Sequence, residues 1–316
     1  MGLATFRGGV HPFEGKELSM DRAVTVLKPT SGEMVYPLSQ HIGAPAKAIV
    51  KVGDEVLVGQ KIAEAGGFIS AVVVSSVSGK VKKIEPRVTA GGAKSISIVI
   101  ENDGLYTAVE GLGEDRDATK LSKQEIRDIV REAGIVGLGG AGFPTNVKLT
   151  PKDESKIDYV IVNGAECEPY LTCDYRMMIE EPERLVGGLK VMLQLFENAK
   201  AVIGIENNKP KAIETLRALV KDEPKITVEP LRTKYPQGGE RSLIYAVTGR
   251  EINSSMLPAD AGCVVDNVNT VMAIYDAVCK RTPILERVIT VTGDAVKEPQ
   301  NFKVRTGMNY NDIIEA

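Results

Sequence analysis

The chain has 316 residues, of which 39 are basic and 42 acidic, and its sequence pI is about 5.7. This balance argues against nucleic acid as a partner, because contacts to phosphate backbones need an excess of Lys and Arg. No stretch approaches the roughly 18 apolar residues of a membrane-spanning helix, and the N-terminus MGLATFRGGVHPFEG lacks the apolar core of a secretory signal. We therefore expect a cytoplasmic protein, which can still dock onto a membrane complex.

The cysteines and histidines are not spaced as metal ligands. The cysteines are Cys167, Cys173, Cys263 and Cys279. They form no CxxC pair, so we expect free thiols and no zinc site or iron–sulfur cluster within these residues. His11 and His41 are both N-terminal and far from any acidic motif. The sequence therefore predicts neither a metal site nor a histidine-centred catalytic triad.

Residues 35–100 alternate short Val- and Ile-rich segments with glycine turns. This pattern predicts a small all-β barrel or sandwich. The phrases VKVGDEVLVGQKIAE and SSVSGKVKKI resemble the lipoyl/biotinyl carrier domain, which displays a modifiable lysine on an exposed hairpin. The matching stretch here, GGFISAVVVSS, offers Phe68, Ile69 and Ser70 and no lysine. We therefore expect a lipoyl-like scaffold in place of a carrier.

A helix and then an α/β pattern follow. In LSKQEIRDIVREAGI, Ser122 and Glu125 are spaced as a capping box at a helix N-terminus. Beyond it, apolar runs alternate with amphipathic helices, and strands are predicted at 158–163, 200–206, 225–231 and 262–267. The runs YVIV and AVIGI are apolar on both faces, as is typical of a covered parallel sheet. The pattern predicts an α/β, Rossmann-like layered domain.

The last segment, RVITVTGDAVKEPQNFKVRTGMNYNDIIEA, predicts two strands and the first turns of a helix. The final residues, DIIEA, lie inside that helix, so we expect the unit to be truncated there. We predict domains at 1–110, 111–284 and 285–316.

The segment GLGGAGFPTNVKL carries Gly137, Gly139, Gly140 and Gly142. An ordinary dinucleotide fingerprint places its glycines after a strand and at the start of a helix, whereas here a helix precedes the loop. Backbone N–H groups without a Cβ beside them can nevertheless form a nest for a phosphate, and Lys148 could add a positive charge. The alternative is a flexible loop that closes the helix, against which the Phe-Pro that follows argues.

A polar cluster, NGAECEPYLTCDYR (163–176), follows the first predicted strand of the sheet. Ligands of open α/β sheets bind outside the carboxyl ends of the strands. Asn163, Glu166 and Glu168 could therefore bond a polar ring edge or a row of ribitol hydroxyls, or they could form a solvated loop with a helix-capping role. Cys167 lies between two acids that would raise its pKa, so we do not expect a nucleophile there.

Taken together, FRGGVHPFEGKELS, GIVGLGGAGFPTNVKL and NGAECEPYLTCDYRMM resemble the RnfC family, which forms one subunit of the Rnf ion-translocating electron-transport complex. The resemblance covers essentially the whole chain. Its middle domain is similar to the NADH-binding flavoprotein subunit of respiratory complex I, whose pattern is GxGGAGFPTGLKW followed by NADExEP. This implies a Rossmann-like domain for FMN and NADH, preceded by a barrel-sandwich domain and followed by the start of a β-grasp (SLBB-like) unit.

The resemblance implies an electron-transport function. FMN would exchange a hydride with NAD(H) and pass electrons to iron–sulfur clusters, as a ferredoxin:NAD+ oxidoreductase whose ion translocation belongs to other subunits. The flavin carries the chemistry, so no catalytic side chain is assigned. Family members continue into a ferredoxin-like region with two cluster motifs, and iron–sulfur clusters are expected only there. The implied partners are ferredoxin and the other subunits of a membrane-bound complex, with this chain peripheral on the cytoplasmic face.

The resemblance also implies a set of cofactor-binding residues. The glycines would face the FMN phosphate, Lys148 would pair with a flavin oxygen or phosphate, and Phe143 would stack on the dinucleotide. YPQGGERS and DNVNTVMAI match the complex I stretches YxxGEET and NNVETL. The full set is Gly137, Gly139, Gly140, Gly142, Phe143, Lys148, Asn163, Glu166, Glu168, Glu240, Asn267, Asn269 and Thr270.

Two residues depart from the complex I pattern, and other interpretations remain. Ala165 replaces an Asp and Gly239 replaces a Glu, so charge is lost around the flavin and nicotinamide. Glu240 could simply complement a helix dipole, and Asn267 and Asn269 could cap a helix. The alternative functions are a cobalamin reductase of bacterial microcompartments, which shares the glycine loop, and a non-catalytic scaffold without flavin, as in a related component of the sodium-pumping NADH:quinone reductase.

Overall fold

A computed structural model describes residues 2–29 and 32–316. The chain forms two compact units, each assembled from separate stretches of sequence. The sheet unit comprises Met1–Thr25, Lys148–Tyr275 and Ile289–Phe302, and the sandwich unit comprises Val26–Val147, Asp276–Val288 and Lys303–Ala316. The predicted residue boundaries of the three domains stay a prediction.

The regular elements are named here in chain order. The strands are β1 (Thr25–Val26), β2 (Glu33–Pro37), β3 (Lys47–Ala48), β4 (Glu55–Val56), β5 (Lys61–Glu64), β6 (Val73–Val74), β7 (Gly79–Val88), β8 (Lys94–Asn102), β9 (Tyr159–Gly164), β10 (Lys200–Glu206), β11 (Ile226–Leu231), β12 (Cys263–Asn267), β13 (Glu286–Val291) and β14 (Gln300–Arg305). The α-helices are α1 (Lys123–Glu132), α2 (Thr145–Lys148), α3 (Cys173–Glu180), α4 (Pro182–Leu195), α5 (Pro210–Leu219), α6 (Glu240–Thr248), α7 (Val268–Lys280) and α8 (Tyr310–Ile314).

The sandwich unit contains two antiparallel sheets, of order β2-β8-β7-β4 and β3-β5-β6. Apolar side chains of both sheets share one core, in which Met34, Tyr36 and Ile98 of the first sheet lie with Ile62 and Val73 of the second. Alternation of buried and exposed residues along these strands produces the inner apolar face. The predicted barrel-sandwich architecture is confirmed.

Two local features of the sandwich unit follow from its sequence. Helix α1 begins with the predicted capping box: the Glu125 N–H donates to Ser122 Oγ at 3.3 Å, and the Ser122 N–H donates to the Glu125 carboxylate at 2.7 Å. At the stretch that matches the carrier hairpin, Phe68 is 84% exposed, whereas Ser70 is buried and bonds His41. Only part of that stretch is therefore presented to solvent.

The sheet unit is built on four parallel strands in the order β11-β10-β9-β12. All four lie within two residues of the predicted positions. Ile161 of β9 packs with Leu243 of α6 and with Val265 of β12. Val160 and Val162, which point to the opposite face of the strand, are also fully buried. Burial on both faces explains why the strand sequences are continuously apolar, and the α/β class is confirmed.

The helices of this unit pack closely. A Cβ added at Gly188 of α4 would lie 2.0 Å from the carbonyl oxygen of Val271 in α7, which is closer than any real contact. Glycine is therefore required at 188 by the approach of the α7 backbone. A further sheet has the order β1-β14-β13, and its strands β13 and β14 are the pair predicted near the end of the chain.

We predict that Gly188→Ala lowers the free energy of unfolding by about 2 kcal/mol, because the added methyl group must push α4 away from α7. Chemical denaturation followed by far-ultraviolet circular dichroism measures the change.

The matched control is Gly91→Ala, since a Cβ at Gly91 meets no atom within 4 Å. Equal stability of the two variants would contradict the close helix packing.

Candidate functional site

The carboxyl ends of β9 and β12 form the topological switch point of the parallel sheet. The chain leaves β9 toward β10 on one side and returns to place β12 on the other. Parallel pairing puts Asn163, near the end of β9, directly beside Asn267, the last residue of β12. Open α/β sheets bind ligands at such a point because the connections diverge there and leave a crevice.

A lysine and two carboxylates lie at the end of β12. Lys148 Nζ donates to the carbonyl oxygen of Val265 at 2.8 Å and lies 3.4 Å from Glu240 and 3.6 Å from Asp266. Burial opposes the charge of Lys148, but Asp266 and Glu240 together raise its pKa. Burial raises the pKa of Asp266 to about 6, against the attraction of Lys148. Sequence reasoning assigned Lys148 and Glu240 and missed Asp266.

Asn163 holds two backbone segments together. Its side chain donates to the carbonyl oxygen of Gly238 at 2.7 Å and accepts from the Ala165 N–H at 3.3 Å. The Gly238 N–H in turn donates to the sulfur of Cys167 at 3.2 Å. Burial raises the pKa of Cys167, as expected for a thiol that is not a nucleophile.

Glu166 caps a helix. Its two carboxylate oxygens accept the backbone N–H groups of Asp174 at 2.7 Å and Tyr175 at 3.3 Å, in the first turn of α3. Its backbone has φ of +48°, a left-handed conformation that non-glycine residues seldom adopt. Burial, and then the carboxylate of Asp174, raise the pKa of Glu166 to about 8, against the attraction of Lys209 and Lys16. The helix-capping alternative for Glu166 is therefore realised, and a cofactor contact stays a prediction.

Asp174 fixes both predicted asparagines. Its two carboxylate oxygens each accept an amide N–H at 2.6 Å, one from Asn267 and one from Asn269. The Asn267 side-chain oxygen also accepts the Asn269 N–H at 2.9 Å at the start of α7. Burial raises the pKa of Asp174, although both amides favour its ionised form. Sequence reasoning predicted Asn267 and Asn269. It did not predict their shared partner Asp174, which lies in the segment YLTCDYR.

Buried ions surround this network on the β10 side. Lys209 is almost completely buried and donates to the Ala165 carbonyl at 2.7 Å, close to the buried carboxylate of Glu206 at 3.5 Å. Lys16 donates to the backbone carbonyls of Glu168 and Leu171 at 3.0 and 2.6 Å. These lysines hold the 163–172 segment in place through its backbone.

The thiol of Cys173 and the carboxylates of Glu166 and Asp174 have ligand atoms within 4.8 Å of one another. That spacing could hold a metal ion. Each carboxylate oxygen, however, already accepts an N–H donor, and the charges of Lys16 and Lys209 act on the same carboxylates. The carboxylates of this cluster therefore accept hydrogen bonds from other residues of the chain.

The glycine loop belongs to the sandwich unit. An antiparallel bridge between Val136 and Pro144 closes it, and the Gly137 N–H donates to the Phe143 carbonyl at 2.9 Å. Gly142 has φ of +66° and a Cβ there would lie 3.3 Å from the backbone of residues 40 and 41. By contrast, a Cβ at Gly140 would meet nothing within 4 Å. The left-handed backbone and the close packing together favour glycine at 142, whereas no neighbour among the described residues explains it at 140.

The remaining predicted residues differ in exposure. Gly139, Glu168 and Glu240 are exposed, Phe143 is half-buried, and Thr270 is fully buried in α7. Among residues 2–29 and 32–316, no helix combines the length and the apolar character needed to cross a bilayer.

Comparisons with known proteins define the class and then the family. Residues 130–276 match the family model described as the Nuo51 FMN-binding domain, and residues 4–105 match the RnfC barrel sandwich hybrid domain. Crystal structures of an NAD+-reducing NiFe-hydrogenase are also similar. The air-oxidized form has a TM-score of 0.53 and 25% identity and covers 64% of this chain and 40% of its own. The H2-reduced form, at 22% identity and a TM-score of 0.52, shares the fold.

Curated relatives show higher identity. The chain is 47% identical to the C subunit of the proton-translocating ferredoxin:NAD(+) oxidoreductase complex of Clostridium ljungdahlii, over 99% of this chain and 68% of the relative. It is 45% identical to the C subunit of the Na(+)-translocating complex of Acetobacterium woodii, over 98% of this chain and 70% of the relative. The corresponding protein of an ion-translocating oxidoreductase complex from Haemophilus influenzae is 37% identical, and the chain spans 48% of its length. The chain belongs to the RnfC family of ion-translocating ferredoxin:NAD+ oxidoreductase complexes.

We predict that Glu166→Gln makes stability less dependent on pH. The usual Glu pKa of 4.5 rises to about 8 in the fold, so the folded state retains a proton that the unfolded state has lost. Stability contributed by that proton is complete below pH 4.5 and is lost as pH rises to 8, at most on the order of 1 kcal/mol per pH unit. Urea unfolding at pH 5.5, 7 and 8.5 should show a shallower decline in the variant.

Glu125→Gln is the control, because hydrogen bonds from Ser122 lower the pKa of that exposed carboxylate and keep it ionised over this range. An unchanged slope in Glu166→Gln would show that Glu166 does not carry the buried proton.

Proposed function

We propose that this chain is the NAD(H)-binding flavoprotein subunit of a ferredoxin:NAD+ oxidoreductase complex. The observation that carries the proposal is the polar switch point of the parallel sheet, within the residues that match an FMN-binding domain. The relatives from Clostridium ljungdahlii and Acetobacterium woodii are subunits of ferredoxin:NAD(+) oxidoreductase complexes, and the structural neighbour is an NAD+-reducing hydrogenase. These names support the same pairing of flavin and nicotinamide for this chain.

The residues present fit a flavin nucleotide. The carboxylate oxygens of Asp266 are buried and lack a hydrogen-bond donor within the described residues, so a polar ligand can supply one. Among the described residues, no atom lies within 4 Å of a Cβ built at Gly140, which leaves room for a group that approaches its backbone. Lys148 adds a positive charge suited to a flavin oxygen or a phosphate.

Each residue would hold a different part of the cofactor. The sequence resemblance implies that the loop glycines offer N–H groups to the FMN phosphate. It also implies that Lys148 pairs with a flavin oxygen or phosphate. Asn163, Asn267 and Asn269 are held by hydrogen bonds within the chain, so they present a rigid polar surface with little left to order on binding.

Bound FMN would supply the redox chemistry, since it exchanges two electrons with NAD(H) and single electrons with iron–sulfur clusters. The chain's own contribution is to bind both nucleotides, orient their rings and exclude water from them. No side chain is assigned a proton-transfer step. Glu166, which caps α3, and Asp174, which holds the amides of Asn267 and Asn269, would keep the polar surface in place.

The wider setting is proposed on the same basis. The chain would act as a peripheral subunit on the cytoplasmic side of a membrane complex, exchanging electrons with ferredoxin and with other subunits. Ion translocation would belong to those subunits.

The direct test is reconstitution. Purified protein incubated with excess FMN and desalted should be yellow, and NADH added without oxygen should bleach this colour, as expected when a flavin cofactor is reduced. Protein that stays colourless would favour the scaffold alternative.

We predict that Gly140→Val weakens FMN binding at least tenfold, because its side chain would occupy the space through which a phosphate reaches the loop N–H groups. Quenching of flavin fluorescence during titration gives the dissociation constant.

Gly91→Val is the matched control, since Gly91 is also exposed and free of neighbours within 4 Å. Both variants should unfold at the wild-type temperature. If Gly140→Val binds FMN with wild-type affinity, the glycine loop does not bind the FMN phosphate.

A further inference from the structure

Asp266 is a buried carboxylate that accepts no hydrogen bond from the residues that the structure describes. It precedes the last residue of β12, at the switch point, and is 2% exposed. Neither of its carboxylate oxygens has a hydrogen-bond partner within residues 2–29 and 32–316. Its nearest cation, Lys148 Nζ, lies 3.6 Å away, beyond hydrogen-bond length. That ammonium group instead donates to the Val265 carbonyl at 2.8 Å.

Three other buried carboxylates of the sheet unit have hydrogen-bond donors or a cation within the chain. Both oxygens of Glu166 accept backbone N–H groups, and both oxygens of Asp174 accept side-chain amides. Glu206 accepts the Lys234 N–H at 3.2 Å and pairs with Lys209. Asp266 differs from all three, although it stands at the end of a strand like Glu206.

A buried carboxylate that lacks donors is costly, so such a group needs a physical explanation. A purely structural ion pair would bring the ammonium group of Lys148 into hydrogen-bond contact with Asp266. The observed geometry keeps the ammonium group on Val265 and leaves both buried carboxylate oxygens of Asp266 without a donor among the residues that the structure describes.

We propose that Asp266 is a ligand-binding residue, whose carboxylate accepts a hydrogen bond from an N–H or O–H group of the molecule bound at the switch point. This inference rests on the proposed function. In a flavin, the matching donors are the ring imide N–H and the ribityl hydroxyl groups. Lys148, held beside the carboxylate, orients it and offsets part of its charge.

The electrostatics lead to a pH dependence of binding. The charged groups that act on Asp266 are Lys148, which favours its ionised form, and Glu240, which opposes it. A donor from the ligand favours the ionised form, so binding must lower the pKa of Asp266 from about 6. By linkage, the ligand binds more tightly as pH rises through that value.

Riboflavin is the first probe, because the FMN phosphate itself titrates at about pH 6 and would obscure the titration of Asp266. Fluorescence titrations at pH 5 and 7.5 should show several-fold tighter riboflavin binding to the wild type at pH 7.5. Asp266→Asn should bind about tenfold more weakly than wild type at pH 7.5, with little change between the two pH values, since it removes a charged acceptor. FMN should show the same difference between wild type and variant.

Glu206→Gln is the matched control, because it replaces a buried carboxylate at the end of β10 whose oxygens are already used within the chain. It should keep the wild-type pH dependence of riboflavin binding. The second measurement is a pH titration of the Asp266 carboxyl group in the wild type, followed by carbon-13 NMR. The pH at the midpoint of this titration should fall when riboflavin is added.

The failures are distinguishable. A wild type that binds neither FMN nor riboflavin overturns the proposed function, and this inference with it. A wild type that binds flavin while Asp266→Asn binds equally well at both pH values, or while the carboxyl midpoint does not move, overturns the role of Asp266 alone.

Discussion

The parallel pairing of β9 with β12 is the constraint on which the candidate site depends. This pairing sets Asn163 beside Asn267 at the carboxyl ends of the two strands. Loops that diverge from one sheet edge can carry polar side chains, whereas the strands themselves must stay apolar because both faces are covered. The site therefore combines a rigid apolar support with a polar rim whose position is set by backbone hydrogen bonds.

Within that rim, the buried acids divide into two kinds. Glu166 and Asp174 are supplied with donors and act on the chain itself, by capping α3 and by holding Asn267 and Asn269. Asp266 lacks such donors among the residues that the structure describes, and this difference is the basis of its proposed role in ligand binding. In a low-dielectric interior this difference matters more than charge alone, because an acceptor without a donor keeps its full desolvation cost.

The site was only partly predictable. The glycine loop and the Asn163–Glu168 segment were recognisable because they are contiguous motifs. Glu166 has a capping role that depends on its left-handed backbone and on the orientation of α3, neither of which appears in the residue spacing. Asp266 was missed because an acid near the end of a strand is common, and it is distinguished by its burial and by its lack of donors among the described residues. The assignment of these residues to FMN stays a prediction.

By itself the sequence determined the barrel-sandwich, the parallel α/β sheet, the capping box of α1 and the family, since apolar periodicity, glycine turns and local motifs encode these over short spans. The tertiary structure alone decided the strand order, the approach of α4 to α7 at Gly188, and the partners of Asp174 and Lys209. The physical reason is that each of these features joins residues that are far apart in the chain. Such residues come close together, and lose their contact with water, only after the sheet has formed.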